Sequence, residues 1–304
     1  MRTVVFLLVP GLHLLDLAGP AQVFSTLDEL GHPVTLRYVA DHDEVLSAQG
    51  VPLRAARDWP ELGRDDLVLV PGWRGEPPSL GPATLGRLRA HHTAGGTVAS
   101  VCAGADALGR AGLLDGRRFT THHGIQRELG ARYPRATVVP DVLYVVDDRV
   151  VTSAGIASGI DLALSLVATW HGPAVAARVA REMVVYARRN GEESQVSAVL
   201  RHRAHLHDVV HRVQDLIDAR FADPLPLREL ADAGGVSERT LTRLFDRATG
   251  MTPLRYQQLL RIERAEHLIG QGSTVEAAAR TVGFGDARML RRLRGRSSPV
   301  REPA

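Results

Sequence analysis

The sequence predicts an α/β domain with an open, mostly parallel, flavodoxin-like sheet, followed by an all-α domain with two helix-turn-helix motifs. Three observations carry this. Short apolar runs alternate with helical spacing over residues 3–169, a helix-turn-helix pattern occupies residues 227–245, and key positions of that pattern recur 48 residues later.

Residues 3–9 (TVVFLLV) form a continuous apolar run closed by Pro10-Gly11, the pattern of a strand buried on both faces. Helical spacing follows over residues 16–30. Further strands are expected at 34–39, 67–70 and 97–101, with a helix at about 80–92 before the last of these. Residues 138–146 and 150–152 suggest an inserted hairpin and a further strand, followed by a helix at 159–169. Strands alternating with helices imply a sheet covered on both faces.

In residues 97–111 (TVASVCAGADALGRA) an apolar strand runs directly into Cys102, then Ala103-Gly104 and a helix. A nucleophile on such a turn stands at the carboxyl edge of the sheet. Small neighbours let the turn close, and following N–H groups and the helix dipole favour thiolate. The expectation is an exposed thiol, with Gly72, at the end of another strand, turning backbone N–H groups into the same crevice. A small buried hydrophobe is the alternative reading of a lone cysteine.

In residues 227–245 (LRELADAGGVSERTLTRLF), Leu227, Leu230 and Ala231 share one helical face, and Leu241, Leu244 and Phe245 share another. Gly234-Gly235 supplies a positive-φ turn residue, and Ser237 an N-cap. Arg239, Thr242 and Arg243 are left on the open face, spaced to reach base edges in a major groove. Ala231 and Gly235 recur as Ala279 and Gly283, joined by a long amphipathic helix at 253–269 that can hold two reading heads about one DNA turn apart. The second copy is shorter at its end, with Pro299 only 9 positions after Leu290 against 12 from Leu241 to Pro253. Arg294 stands in it where Phe245 stands in the first copy. A poorly packed second head is expected, contributing phosphate contacts through Arg288, Arg291 and Arg292.

The motifs A-x-x-x-G-V-S-x-R-T-L-x-R-x-F, G-x-x-P-x-x-Y, R-x-x-R-A-x-x-L-I and A-A-x-x-V-G-F resemble the AraC/XylS type of transcription regulator over roughly the last hundred residues. The first half resembles the ThiJ/PfpI branch of the class I glutamine amidotransferase-like superfamily. The motifs are GLHLLDLAGPAQVF, SVCAGADALGRAGLLDGRRFTTHH and VTSAGIASGIDLALSLV. The resemblance places the family's elbow cysteine on Cys102, its acidic partner on Asp16 and its histidine on His122. Three departures stand against turnover. Gly124 occupies the place of the amidotransferase glutamate, Ala103 that of a hydroxyl common in hydratase-like members, and Trp73 that of a second glycine. The last narrows the pocket and removes an oxyanion donor.

The segment VAREMVVYARR-x-G-x-x-S-Q-x-S between these halves resembles the GlxA-type subgroup of AraC regulators. There the amidotransferase-like domain serves as sensor and dimerisation module. The implied organisation is a sensor domain at 1–186, a linker at 187–206 and a DNA-binding domain at 207–304. The helix before Asn190-Gly191 ends there, the polar stretch after it reads as a hinge, and His202, His205, His207 and His211 read as a solvated linker helix.

Composition agrees with a globular protein, at 44% hydrophobic and 23% charged. One cysteine excludes an internal disulfide framework. No apolar run reaches a membrane span and the start is too quickly interrupted for a signal peptide, so cytoplasm is expected. From residue 201 onward 18 Arg face 13 acidic residues, whereas residues 1–200 carry a slight acidic excess. The basic balance therefore sits where DNA would bind. The expected function is a ligand-responsive, DNA-binding regulator. Its partners would be double-stranded DNA, a small-molecule effector held near Asp16, Gly72, Cys102, Ala103 and His122, and a second copy of the chain. No cofactor, metal or membrane is expected. The alternatives are a ThiJ/PfpI-type cysteine enzyme with an appended DNA-binding domain, and a redox sensor acting through Cys102.

Overall fold

The structure, a computed structural model, describes residues 1–185, 189, 191, 192, 195, 202, 203, 205–270 and 272–297, with side chains to residue 293. The chain divides into two compact units, Met1–Gln195 and Val196–Ala304.

The first unit begins β1 (Arg2–Leu7), α1 (Leu14–Glu29) and β2 (Val34–Val39), followed by a small hairpin of β3 (Glu44–Leu46) and β4 (Pro52–Arg54). Then come β5 (Leu67–Val70), α2 (Pro82–Thr93), β6 (Thr97–Val101), α3 (Ala105–Arg110) and β7 (Arg118–Phe119). The unit continues with α4 (Gln126–Arg132), β8 (Thr137–Val138), β9 (Tyr144–Asp147), β10 (Val150–Ser153), α5 (Ser158–His171) and α6 (Pro173–Glu182). Six strands form one sheet in the order β2-β1-β5-β6-β10-β9, parallel throughout except for the antiparallel β9–β10 edge. This is the open, mostly parallel sheet that the alternating runs predict. Residues of β5 and β10 are buried without exception, as expected of strands covered on both faces.

The step from β1 to β2 runs one way along the sheet and the step from β5 to β6 the other. Right-handed crossovers therefore place α1 and α2 on opposite faces. The order reverses between β1 and β5, and a crevice opens outside the carboxyl ends of the strands at such a point. Pairing of Val70 with Ser100 and of Ser153 with Val101 ends three strands at one level.

Two expectations for this unit are corrected. Residues 138–146 do not form one arm of a hairpin. Val138 belongs to β8, which pairs parallel with β7, while only Tyr144–Asp147 pairs with β10. The helix expected to run to Asn190 ends at Glu182, and Val184 there takes a positive φ of 55°. Asn190 itself lies outside the described residues.

The second unit contains α7 (Asp208–Ala219), α8 (Leu227–Gly234), α9 (Glu238–Thr249), α10 (Pro253–Gly270), α11 (Val275–Thr281) and α12 (Ala287–Ser297). The first helix-turn-helix, α8–α9, closes on a core of Val210, Val213, Ile217, Leu230, Ala231, Leu241, Phe245, Tyr256 and Leu260. The second, α11–α12, has its own core of Ile262, Ala265, Ala278, Ala279, Val282, Phe284, Leu290 and Leu293. Helix α10 serves both, offering Tyr256 and Leu260 to one and Ile262 and Ala265 to the other. Its 18 residues span about 27 Å.

The poorly packed second head expected from the sequence is thereby corrected. Leu290 and Leu293, three residues apart, are both buried. Leu293 supplies the inward contact that Phe245 supplies in the first copy, one position further on. The Arg294 side chain and Pro299 lie outside the described residues. Of the four histidines read as a linker helix, only His211 lies in a helix, and His202, His205 and His207 precede it. The helix starts at Asp208, and Arg203 ahead of it pairs with Asp215 and Asp218 of α7 at 2.7 and 2.6 Å.

Candidate ligand cavity and nucleic-acid interface

At the switch point, the loops after β1, β5, β6 and β10 enclose a cavity of about 300 Å³. Its walls include His13, Trp73, Arg74, Cys102, Ala103, Asp106, His122, Ile125, Arg132 and Ile156. That volume is at the small end of ligand sites. Leu12 and Trp73 bridge the first two loops, supported by His13 N–H to the Gly72 carbonyl (2.9 Å) and Arg74 N–H to the Gly11 carbonyl (3.0 Å).

Cys102 takes φ 56°, a left-handed conformation rare for a residue with a side chain and typical of a strand-to-helix elbow. The turn is where the sequence places it, but the thiol is not exposed. Cys102 is only 7% accessible, and burial, reinforced by the Asp16 charge, pushes its pKa up to about 12. The Ala103 N–H opposes this shift and is outweighed. Desolvation therefore beats the dipole argument, and the group is a thiol at neutral pH.

Asp16, on α1, is fully buried behind the cavity lining. Its Oδ2 accepts from the Gly72 N–H (3.1 Å) and its Oδ1 from the Ile156 N–H (3.0 Å). Burial raises its pKa to about 6 against the His13 charge and those two hydrogen bonds. Both carboxylate oxygens thus hold loops together. Gly72 is corrected in the same stroke, because its N–H is given to Asp16 and not turned into the crevice. A Cβ on Gly72 would lie 2.6 Å from both Asp16 Oδ2 and Cys102 Cβ, so only glycine permits the approach.

His122 reaches the cavity from the loop after β7. Its Nδ1 accepts from the Gly124 N–H at 3.2 Å, and its ring lies 4.2 Å from that of His123. Burial, then His123 and His13, hold its pKa below the usual imidazole range, so it is neutral at pH 7. Among the described residues no hydrogen bond joins His122 or Asp16 to the Cys102 sulfur. Of the three residues assigned by resemblance, Cys102 and His122 line the cavity, whereas Asp16, like Gly72, lies behind the lining, and no bonded relay joins them. Ala103 lines it as a plain methyl.

Sequence reasoning missed Asp106, one helical turn beyond Cys102, a spacing that could have revealed it. Its Oδ1 accepts from Arg132 (2.7 Å) and the Tyr133 hydroxyl (2.6 Å). It also missed Arg132, at the end of α4, and His13 and Ile156, from two loops, whose meeting no local pattern announces.

In the second unit, Ser237 caps α9, its hydroxyl accepting from the Thr240 N–H at 3.3 Å. Arg239 and Arg243 project exposed from α9. Thr242 is half-buried and donates its hydroxyl proton back to the Glu238 carbonyl (2.9 Å), leaving its methyl and lone pairs for contact. On α12, Arg292 is exposed, Arg291 is paired with Glu276 at 2.6 Å, and Arg288 lies 4.0 Å from Asp286. Arg261 went unnoticed in the sequence. From α10 it donates to the carbonyls of Phe221, Ala222, Asp223 and Gly283, at 2.6–3.1 Å. It thereby ties the second turn to the loop between α7 and α8.

Comparison with known proteins follows this division. Residues 2–169 match the DJ-1/PfpI family and residues 230–296 a helix-turn-helix domain. The chain is 28% identical over 293 residues to the HTH-type transcriptional regulator GbdR of Pseudomonas aeruginosa, covering 93% of this chain and 78% of that one. It is 34% identical over 165 residues to an isonitrile hydratase of Pseudomonas putida, covering 53% of this chain and 68% of the relative. Among solved structures, an AraC family transcriptional regulator from Pseudomonas putida superposes with a TM-score of 0.52 at 25% identity, covering 60% of this chain and all of that one. With the elbow, the switch-point cavity and the paired helix-turn-helix units in view, the chain belongs to the DJ-1/PfpI family, joined here to an AraC-type helix-turn-helix domain.

Proposed function

We propose that the protein is a ligand-responsive transcription regulator whose cavity beside Cys102 takes a small-molecule effector. The observation that carries this reading is a cavity whose cysteine is held as a thiol and, among the described residues, has no base bonded to it. Such a site has the shape to bind and lacks the activated nucleophile to turn over. Arg239, Thr242 and Arg243, oriented by the Ser237 cap, read bases, while Arg288, Arg291 and Arg292 contact phosphates. The chain acts as a dimer through its first unit, in the cytoplasm. Among the described residues no helix is long and apolar enough to cross a membrane. The domain limits are those of the sequence reading, 1–186, 187–206 and 207–304.

The test is a metabolite panel screened by thermal shift against wild type and Ala103→Leu, which crowds the cavity. A compound that raises the melting temperature of wild type alone supports the effector site, and a compound that stabilises both equally places its site elsewhere. Likeness to an isonitrile hydratase favours a second reading, a small-molecule lyase or hydrolase. Turnover that Cys102→Ser abolishes would establish it in place of the first.

A further inference from the structure

The segment that leaves the first unit is fastened back onto that unit, in part at the residues next to His122 of the cavity lining. Arg189 grips the buried carboxylate of Asp161 on α5, its N–H reaching Oδ1 (3.1 Å) and its Nε and terminal N–H reaching Oδ2 (3.0 and 2.6 Å). The Gly191 carbonyl accepts from the N–H groups of Leu143 and Tyr144 at 2.8 and 3.3 Å. Gln195, the last residue of this unit, donates its backbone N–H to Asp141 (3.1 Å). Its side-chain amide donates to the Thr121 carbonyl (3.0 Å) and the Thr120 hydroxyl (3.4 Å).

Those acceptors are not neutral ground. Thr120 and Thr121 are fully buried and immediately precede His122, and the Thr121 hydroxyl donates to the Cys102 carbonyl at the elbow (2.8 Å). Gln126 competes for the same two acceptors, at 3.2 and 3.4 Å. The Gln195 amide oxygen is buried and has no hydrogen-bond partner, so the docked state carries an unsatisfied acceptor. A contact whose acceptors are already served by a second donor, and which is burdened in this way, can be released at little cost, which is what a two-state element requires.

We propose that Gln195 is a positioning residue that latches the exit of the first unit to the Thr120–Thr121 wall and releases it when the cavity is filled. This rests on the reading of the cavity as an effector site. An occupant between Cys102 and His122 displaces the wall to which both are tied. Gln126, already bonded there and belonging to α4, keeps both acceptors satisfied once Gln195 has left. The chain beyond Gln195 leads to the DNA-binding unit, so the latch converts occupancy into a change at the linker.

The experiment uses the full chain as wild type, Ala103→Leu (a built-in occupant), Gln195→Ala, their double variant, and Gln126→Ala. Hydrogen exchange is followed on the peptide carrying Gln195, and affinity is measured for a duplex selected from a random pool by the wild type. Ala103→Leu and Gln195→Ala are each expected to speed exchange of that peptide and to shift duplex affinity about fivefold or more. The double variant is expected to match either single one, because a released latch cannot be released again. Gln126→Ala is expected to leave duplex affinity at the wild-type level.

Unchanged exchange in Gln195→Ala, or effects of the two substitutions that multiply, would overturn the latch. Should Ala103→Leu fail to fold, Gln195→Ala against Gln126→Ala decides alone, and equal affinities in both would overturn it. A metabolite that shifts duplex affinity without altering exchange at Gln195 removes the latch and keeps the effector. A wild type that binds no metabolite, while Ala103→Leu still moves both readouts, removes the effector and keeps the latch.

Discussion

At the scale of single residues, burial decides the chemistry of the site. Cys102 sits on the turn that its sequence announces, yet its thiol is held protonated by a desolvation cost that no helix terminus offsets. Alkylation by iodoacetamide near neutral pH is expected to run roughly a thousandfold slower than on a free cysteine. A rate close to that of free cysteine would return the residue to the list of nucleophiles. Asp16 makes the complementary prediction. Its folded pKa, about 6, lies above the ordinary aspartate value of 3.8, so between these the native state holds a proton that the unfolded chain has lost. Stability from this group is therefore present below the lower value and falls as pH rises through the window, by about 3 kcal/mol in all. Denaturation of wild type and Asp16→Asn at about pH 4 and about pH 7 should show the wild type losing that amount relative to the variant. A pH-independent difference would mean the carboxylate is not desolvated. On the recognition helix, Arg243→Ala should cost about 1–3 kcal/mol of duplex binding and relax preference at one base position. Arg292→Ala should weaken all sequences alike, and gel-shift titration against the selected duplex and its variants separates the two.

At the scale of elements, glycines distinguish a turn that needs only a conformation from one that also needs space. Gly235 and Gly283 both close helix-turn-helix motifs with left-handed backbone, at φ 68° and 82°. A Cβ on Gly235 meets nothing within 4 Å, whereas one on Gly283 would lie 1.9 Å from the Ala222 carbonyl oxygen. Gly235→Ala is expected to cost about 1 kcal/mol, and Gly283→Ala about 3 kcal/mol or more, with loss of the Arg261 bond to the Gly283 carbonyl. Urea midpoints of the two variants test the contrast, and equal losses would refute it. The same contrast marks what the sequence can say. Strands 34–39, 67–70 and 97–101 were legible to the residue because buried parallel strands have an apolar signature bounded by turn residues. The first helix-turn-helix was legible because its apolar faces, cap and turn glycine are local. Shifting the inner contact from the Phe245 register to Leu293 was not, since it depends on which face α10 presents. Nor was the short β3–β4 hairpin, whose three-residue strands leave too little alternation to recognise.

At the scale of the whole molecule, the architecture joins a switch-point crevice to a pair of groove-reading units. The elbow and its neighbours were readable from one stretch of chain, but the cavity is assembled by loops from the ends of four strands. Arg132 and Ile156 carry no local pattern that says they meet. Gln195 is a sharper case, for it lies in a polar stretch that reads as a hinge and instead grips Asp141 and Thr121 through long-range bonds. The central claim is that occupancy of the crevice alters the grip on DNA. The most direct measurement is fluorescence anisotropy of the selected duplex titrated with the full chain, with and without a metabolite that stabilises wild type and not Ala103→Leu. The predicted result is a change in duplex affinity of about fivefold or more, absent in Ala103→Leu. Identical affinities with the metabolite bound and absent, or steady consumption of the metabolite through Cys102, would contradict it.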